Sequence, residues 1–266
     1  MLILPALAPC RHGSLFRRIG NLLVMTQPQD TNAAIWRSED TVAHWASEAA
    51  NRERMHVPLQ RFMAELMPFA EDDEFSFLDL GAGAGALSKA ILERFPRCTA
   101  VLADFSDQMM GAGAQELQPF ADRYRYVTFD MSTSNWPAEI PGTLDAIVSS
   151  LFVHHLPDER KQSLFAEIFE RLVPGGWSIN YDPVTTDDPV IEATWQRVGE
   201  LGNPELTRRR VHPTADEHAR WQNHIRYMIP LQQQLSYLKG AGFEGIDVYF
   251  KRLEWTIYAG RRPLTD

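Results

Sequence analysis

Three glycines, Gly81, Gly83 and Gly85, alternate with alanines directly behind the apolar run FSFLDL, which carries an acid at Asp79. A turn stripped of side chains can lie directly against a ligand, because no Cβ holds the backbone off. The next apolar run, CTAVLADF, ends in Asp104, at about the spacing expected for an acid that accepts ribose hydroxyls. Gly81, Gly83 and Ala86 with Asp104 also satisfy the dinucleotide fingerprint, so an NAD(P)-dependent oxidoreductase is a reading these residues permit. A second reactive group lies further on. His154 and His155 follow LDAIVSSLF, and Asp182 ends GWSINYD after Asn180 and Tyr181. Imidazole and carboxylate side chains are the ones that move protons near neutral pH once their environment tunes them.

The elements that must position these residues follow from periodicity. Short apolar runs alternate with helical patterns: FSFLDL, LSKAILERF, CTAVLADF, a helix from about Gln108, YRYVTFDM, LDAIVSSLF, ERKQSLFAEIFERL and GWSINYD. Such alternation predicts an α/β fold with a doubly wound, mostly parallel, seven-stranded Rossmann-like sheet covered on both faces. Pro174, Gly175 and Gly176 read as the helix stop and turn into the fifth strand. The chain closes with PLQQQLSYLKG, the turn AGF, and two extended segments, GIDVYF and LEWTIYAG, separated by Lys251 and Arg252. So short a connection demands an antiparallel pair.

Residues 183–234 break the alternation with prolines, two tryptophans, Arg208 to Arg210 and three histidines, and predict a helical lid inserted over the sheet's carboxyl edge. Trp221, His224 and Tyr227 share roughly one helical face there, as acceptor-binding residues or as packing core. The arginine run reads as a solvated face. The expected organisation is an extension over 1–25, helices over 26–70, a core over 71–182, the lid over 183–234, and a closing helix and strand pair over 235–266. The first segment is apolar, then carries Arg11, Arg17 and Arg18 with no acid before Asp30, which reads as a targeting leader or as a disordered extension ahead of Met25.

A formal net charge of -9 over 266 residues disfavours nucleic acid and anionic lipid as partners and favours a small acceptor. Two cysteines, Cys10 and Cys98, provide neither a disulfide framework nor a cysteine-rich metal site, which sets a reducing, cytoplasmic compartment as the expectation. No apolar run reaches the roughly 20 residues of a membrane span.

FLDLGAGAG, the acid in VLADFS, the acid in YVTFDM, LDAIVSSLFVHHL and LVPGGWSIN occur in an order that resembles class I S-adenosylmethionine-dependent methyltransferases of the small-molecule type, as does the closing GAGF and strand pair. The resemblance covers about residues 40–262. It implies that S-adenosylmethionine is the cofactor. Asp79, Gly81, Gly83 and Gly85 would line its methionine moiety, and Ala84 would approach it through the backbone. Asp104 would accept both ribose hydroxyls, with Phe105 and Met109 against the adenine. Asp130 would accept the adenine amino group, with the Met131 backbone beside it, and Ser150 would sit near the sulfonium.

The acceptor belongs beyond the carboxyl ends of the fourth and fifth strands. His155, His154 and Asp182 are the candidate bases and Tyr181 a candidate acceptor-binding residue. Relatives with a similar pair of histidines favour His155, and only one of the two faces the pocket if the strand continues. Trp36, Trp45 and His56 are candidates to cover the cofactor from the amino-terminal side. The function implied is methyl transfer to a small molecule through oxygen, nitrogen, carbon or sulfur. Besides the oxidoreductase, a non-catalytic S-adenosylmethionine-binding partner subunit stays open, as does the oligomeric state.

Overall fold

The computed structural model describes residues 49–201 and 203–264. The expected leader, Trp36, Trp45 and Cys10 lie outside the described residues. Two short helices, α1 (Ala49–Met55) and α2 (Val57–Glu65, with Pro58 in its first turn), lead into the sheet. Then strands and helices alternate: β1 (Ser76–Leu80), α3 (Ala86–Arg94), β2 (Thr99–Asp104), α4 (Asp107–Glu116), β3 (Tyr124–Thr128), β4 (Leu144–Ser150), α5 (Asp158–Arg171) and β5 (Leu172–Pro183). After the lid come α9 (Leu231–Ala241), β6 (Glu244–Arg252) and β7 (Trp255–Arg261).

The seven strands are ordered β3-β2-β1-β4-β5-β7-β6, with β7 antiparallel to both neighbours. This is the sheet expected from the alternation and the short final connection. Its direction of winding reverses between β1 and β4, so the carboxyl ends of those two strands flank the crevice where ligands of open α/β sheets bind. Strand alternation divides the apolar residues between two cores. On β1, Leu78 and Leu80 join Leu164, Phe165 and Ile168 of α5 and Leu238 of α9. Phe77 faces the other way, toward Met63 of α2 and Leu87 and Ile91 of α3. Asp79 therefore emerges on the α3 side, next to Ser88.

Two sequence expectations are corrected. Pro174, Gly175 and Gly176 lie inside β5 rather than before it: Leu172 already pairs with Leu144, and the register slips before Trp177 meets Ala146. Backbone bonds exchanged with Arg262 hold this irregular stretch to the sheet, Gly175 N–H to Arg262 O at 3.0 Å and Arg262 N–H to Gly176 O at 2.8 Å. Lys251 and Arg252 do not separate the last two strands. They pair with Thr256 and Trp255, and the turn falls at Leu253, with φ 54°, and Glu254.

The lid consists of α6 (Pro189–Glu200), α7 (Pro204–Val211) and α8 (Ala215–Ile225). Each starts with a side-chain cap: Asp188, Asn203, and a capping box of Thr214 with Glu217. Arg208 pairs with Glu205 and Glu217, Arg209 with Glu205, and Arg210 with Glu200, so the arginine run ties lid helices together. The lid leaves and rejoins the core side by side, where Thr185 bridges Pro230 and its N–H donates to Ile229 O at 3.1 Å.

Candidate active site

Gly81, Gly83 and Gly85 all hold positive φ, at 70°, 53° and 77°, and they do different work. A Cβ at Gly81 would stand 2.2 Å from the Phe152 ring, and one at Gly85 would stand 2.6 Å from Leu117. At Gly83 it would meet only the tip of Met109, at 3.2 Å. Gly81, Ala82, Gly83 and Ala84 line a cavity of about 630 Å³, whereas Gly85 is outside that lining. Gly85 thus turns toward the packing beneath α4 and not toward the expected methionine site.

The loop is fastened through its amides. Gly81 and Ala82 N–H both donate to Ala103 O, Gly85 N–H donates to Ala82 O, and Gly83 N–H donates to Asp104 Oδ2 at 2.8 Å. Two carboxylates, Asp79 and Asp104, stand beside these amides, where a pyrophosphate would meet like charge. This arrangement opposes the dinucleotide reading. Below the loop, the Tyr126 hydroxyl donates to Gly83 O at 3.0 Å, and Gly113 makes room for it, since a Cβ there would lie 1.9 Å from that oxygen.

Asp79 and Asp104 both line the cavity. Asp79 accepts from the Ser88 hydroxyl at 2.7 Å through Oδ2, while its buried Oδ1 has no hydrogen-bond partner among the described residues. Burial, reinforced by the Asp104 charge, pushes Asp79 up to about 7. Asp104 is raised by burial, against the Ser106 and Gly83 N–H groups it accepts. Phe105, Ser106 and Met109 continue the lining, and Ser106 caps α4 by accepting Met109 N–H at 3.3 Å. Asp130 and Met131 lie outside the lining. The Asp130 carboxylate folds back onto Ser132 N–H at 3.0 Å, and Met131 O accepts from Arg160 at 2.8 Å.

Across from the loop the cavity is walled by imidazoles. The chain after β4 does not continue as a strand but closes a 3-10 turn, Val153–His155. The rings of His154 and His155 consequently lie against each other, tilted by 40° with centroids 3.9 Å apart, and both line the cavity. Strand alternation therefore does not choose between them. His224 from α8 meets His154 edge-on at 4.8 Å and lines the same space. Burial lowers all three imidazoles and so favours their neutral forms.

His154 Nδ1 lies 2.7 Å from Asp182 Oδ1, and the buried His154 Nε2 has no partner among the described residues. Asp182 is fully buried behind His154 and raised well above the ordinary carboxylate range, chiefly by that burial. It reaches the cavity only through the imidazole. Tyr181 is likewise buried and does not line the cavity, but its hydroxyl meets His56 Nδ1 at 2.8 Å. His56 does line it, edge-on to Trp255 at 4.9 Å, and burial with the Arg52 charge lowers it to about 4.

Of the three lid residues expected on one face, only His224 reaches the cavity. Trp221 is 55% exposed, and Tyr227 falls beyond the end of α8 at Ile225, so the helical spacing no longer applies to it. Ser150 lines the cavity and accepts from Gln60 Nε2 at 3.0 Å. Gln60, Ser88, Tyr126 and Trp255 were not singled out from sequence. Gln60 alone carried a signal, as a polar residue within an apolar helical stripe.

The residues present fit S-adenosylmethionine. The unpaired Asp79 oxygen suits the amino-acid ammonium, and an ionised carboxylate beside such a cation relieves the burial of both. Asp104 keeps acceptor capacity beyond its contacts with the Ser106, Gly83 and Phe105 N–H groups for ribose hydroxyls. Phe105 and Met109 offer apolar surface for a base.

A family model described as a methyltransferase domain matches residues 78–178. Over 100 residues the chain is 33% identical to a malonyl-(acyl-carrier protein) O-methyltransferase of Chlorobium phaeovibrioides, a match covering 37% of this chain and 36% of that protein. Among solved structures it is similar to an O-methyltransferase family protein from Burkholderia thailandensis, with TM-score 0.63 and 17% identity over 86% of this chain and 62% of that one. A human N-acetylserotonin methyltransferase solved with S-adenosylmethionine gives TM-score 0.59 and 16% identity over 89% and 60%. The matched segments span about a third of the curated relatives' length, 36% and 34% for two of them. Among the described residues, no helix is long and apolar enough to cross a membrane. The family match thus places a methyltransferase domain over residues 78–178, and the sheet order and the carboxylate-flanked glycine loop are similar to those of class I S-adenosylmethionine-dependent methyltransferases.

Proposed function

We propose that this chain methylates a hydroxyl group of a small molecule, using S-adenosylmethionine as donor. The observation that carries this reading is one cavity shared by the Asp79–Asp104 glycine loop and by His154, whose buried Nε2 is unpaired and whose Nδ1 is held by Asp182. When bound, S-adenosylmethionine supplies a methyl group on a positively charged sulfur. Asp79 and Asp104 would hold its ammonium and ribose, with Phe105 and Met109 beside the base.

His154 Nε2 takes the proton of the acceptor hydroxyl. A neutral imidazole is needed for that step, and burial provides it. For that step Asp182 accepts the Nδ1–H of His154 as a carboxylate, which leaves Nε2 free for the proton, fixes the ring's orientation and offsets the charge that His154 gains. His155, His224 and Trp255 wall the acceptor and exclude water, which strengthens these interactions. A net charge of -9 supports a small acceptor over a nucleic acid, and two cysteines support a reducing, cytoplasmic setting.

Calorimetry with S-adenosylhomocysteine and NADH tests the cofactor half, and transfer of labelled methyl from S-adenosylmethionine to phenol, amine, thiol and carboxylate panels tests the acceptor half. Binding of S-adenosylhomocysteine alone, with label appearing on hydroxyls, is expected. Preference for NADH would overturn the first half, and label only on thiols or tertiary amines the second.

A further inference from the structure

Lys161 is a fully buried lysine on the first turns of α5, outside the cavity and unused by the chemistry above. Its ammonium donates to Leu156 O at 2.6 Å and also to Tyr227 O. Leu156 is the residue after His155, where the histidine-bearing 3-10 turn ends. Tyr227 follows His224 by one helical turn, just past the end of α8. A single ammonium therefore joins the carbonyls that terminate both histidine-bearing segments, one from the core and one from the lid.

Burying an ammonium is costly, and burial indeed lowers Lys161 to about 8, with Asp182 and Asp158 opposing that shift. An apolar residue would fill the same space without that cost, so the charge at this place calls for a reason other than packing. Other tethers hold the lid's root, through Thr185 with Ile229 and Pro230, and its first helix, where the Lys251 ammonium lies 4.3 Å over the Trp195 ring. Lys161 acts further along, at the turn from which His224 projects onto His154.

We propose that Lys161 is a positioning residue that latches the lid to the histidine turn, and so sets His224 against His154 and closes the acceptor end of the cavity. The proposal rests on reading that end as the acceptor site. Its test needs no acceptor and no turnover.

The test is Lys161→Met, compared with the unsubstituted chain by imidazole NMR titration, hydrogen exchange and calorimetry with S-adenosylhomocysteine. In the unsubstituted chain His224 titrates below its ordinary value. In Lys161→Met it should return toward about 6.5 as the lid turn opens to water. Amides of residues 221–229 should exchange roughly 10- to 100-fold faster, and those of β1 and β2 should not change. S-adenosylhomocysteine affinity should be unaltered, which separates this result from a failure of the cofactor reading. A depressed His224 and unchanged exchange in the folded variant would overturn the latch. If Lys161→Met does not fold, exchange in the unsubstituted chain decides the matter: residues 153–156 and 221–229 should open in one correlated event, and independent opening would overturn the proposal.

Discussion

The Asp104 carboxylate accepts the Gly83 N–H at 2.8 Å, so the acid that ends the second strand and the glycine loop that follows the first are one mechanical unit. Asp104 thus holds the loop's shape as well as offering oxygens to a ribose. Asp104→Ala should weaken S-adenosylhomocysteine binding by roughly 1.5–3 kcal/mol, the worth of charge-assisted hydrogen bonds. Asp104→Asn keeps an acceptor for Gly83 and should lose less. Calorimetry on both variants checks the order; equal losses would mean that the loop does not need this contact.

Gly113 and Tyr126 form a size-matched pair beneath the same loop. Gly113→Ala should destabilise the fold by roughly 1–3 kcal/mol in urea unfolding, because its methyl group collides with the hydroxyl that supports Gly83. Adding Tyr126→Phe removes the colliding oxygen and should restore part of the loss. No restoration would place the strain elsewhere.

Asp79 gives a pH signature with a definite sign. Its folded value, about 7, stands above the unfolded 3.8, so the folded protein holds this proton more tightly. The group's contribution to stability is present at low pH and is lost as pH rises from 3.8 through about 7. Urea unfolding at several pH values should show this slope, and Asp79→Asn should remove it. Saturating S-adenosylhomocysteine should also flatten it, since a bound ammonium favours the carboxylate.

For the proton-transfer step, His154→Ala should lower turnover on the identified acceptor by about 10²- to 10⁴-fold while leaving S-adenosylhomocysteine affinity intact. His155→Ala should chiefly raise the acceptor KM, because His155 walls the site while Asp182 holds His154. Steady-state kinetics on both variants separates the two roles. A reversed pattern would move the base to His155.

The sheet was legible in the sequence because buried parallel strands are nearly continuous apolar runs, and β1, β2 and β4 each bury most of their residues. Asp79, Gly81, Gly83, Asp104 and Ser150 line one cavity, at places that follow from where such strands end. Misplacements came where direction, not position, mattered. Gly85, Tyr181 and Asp182 stand at the expected points of the chain but face the core. Tyr227 failed for another reason, as helical spacing holds only while the helix lasts. Lys161 left no trace, because a lysine in a polar helix turn reads as solvated until its neighbours from Leu156 and Tyr227 are known.

The position of β7 between β5 and β6 has a consequence for how the chain is made. Synthesis runs from the amino terminus, so β5 emerges long before the strand that covers its open side. Until residues 255–261 leave the ribosome, the stretch Trp177–Pro183 presents a row of unpaired backbone groups. The sheet up to β5 can assemble early, but its exposed edge must wait for β7 to slot in beside it. Nascent chains stalled before Trp255 should therefore be the ones that aggregate or recruit chaperones, and those released after Arg261 should not.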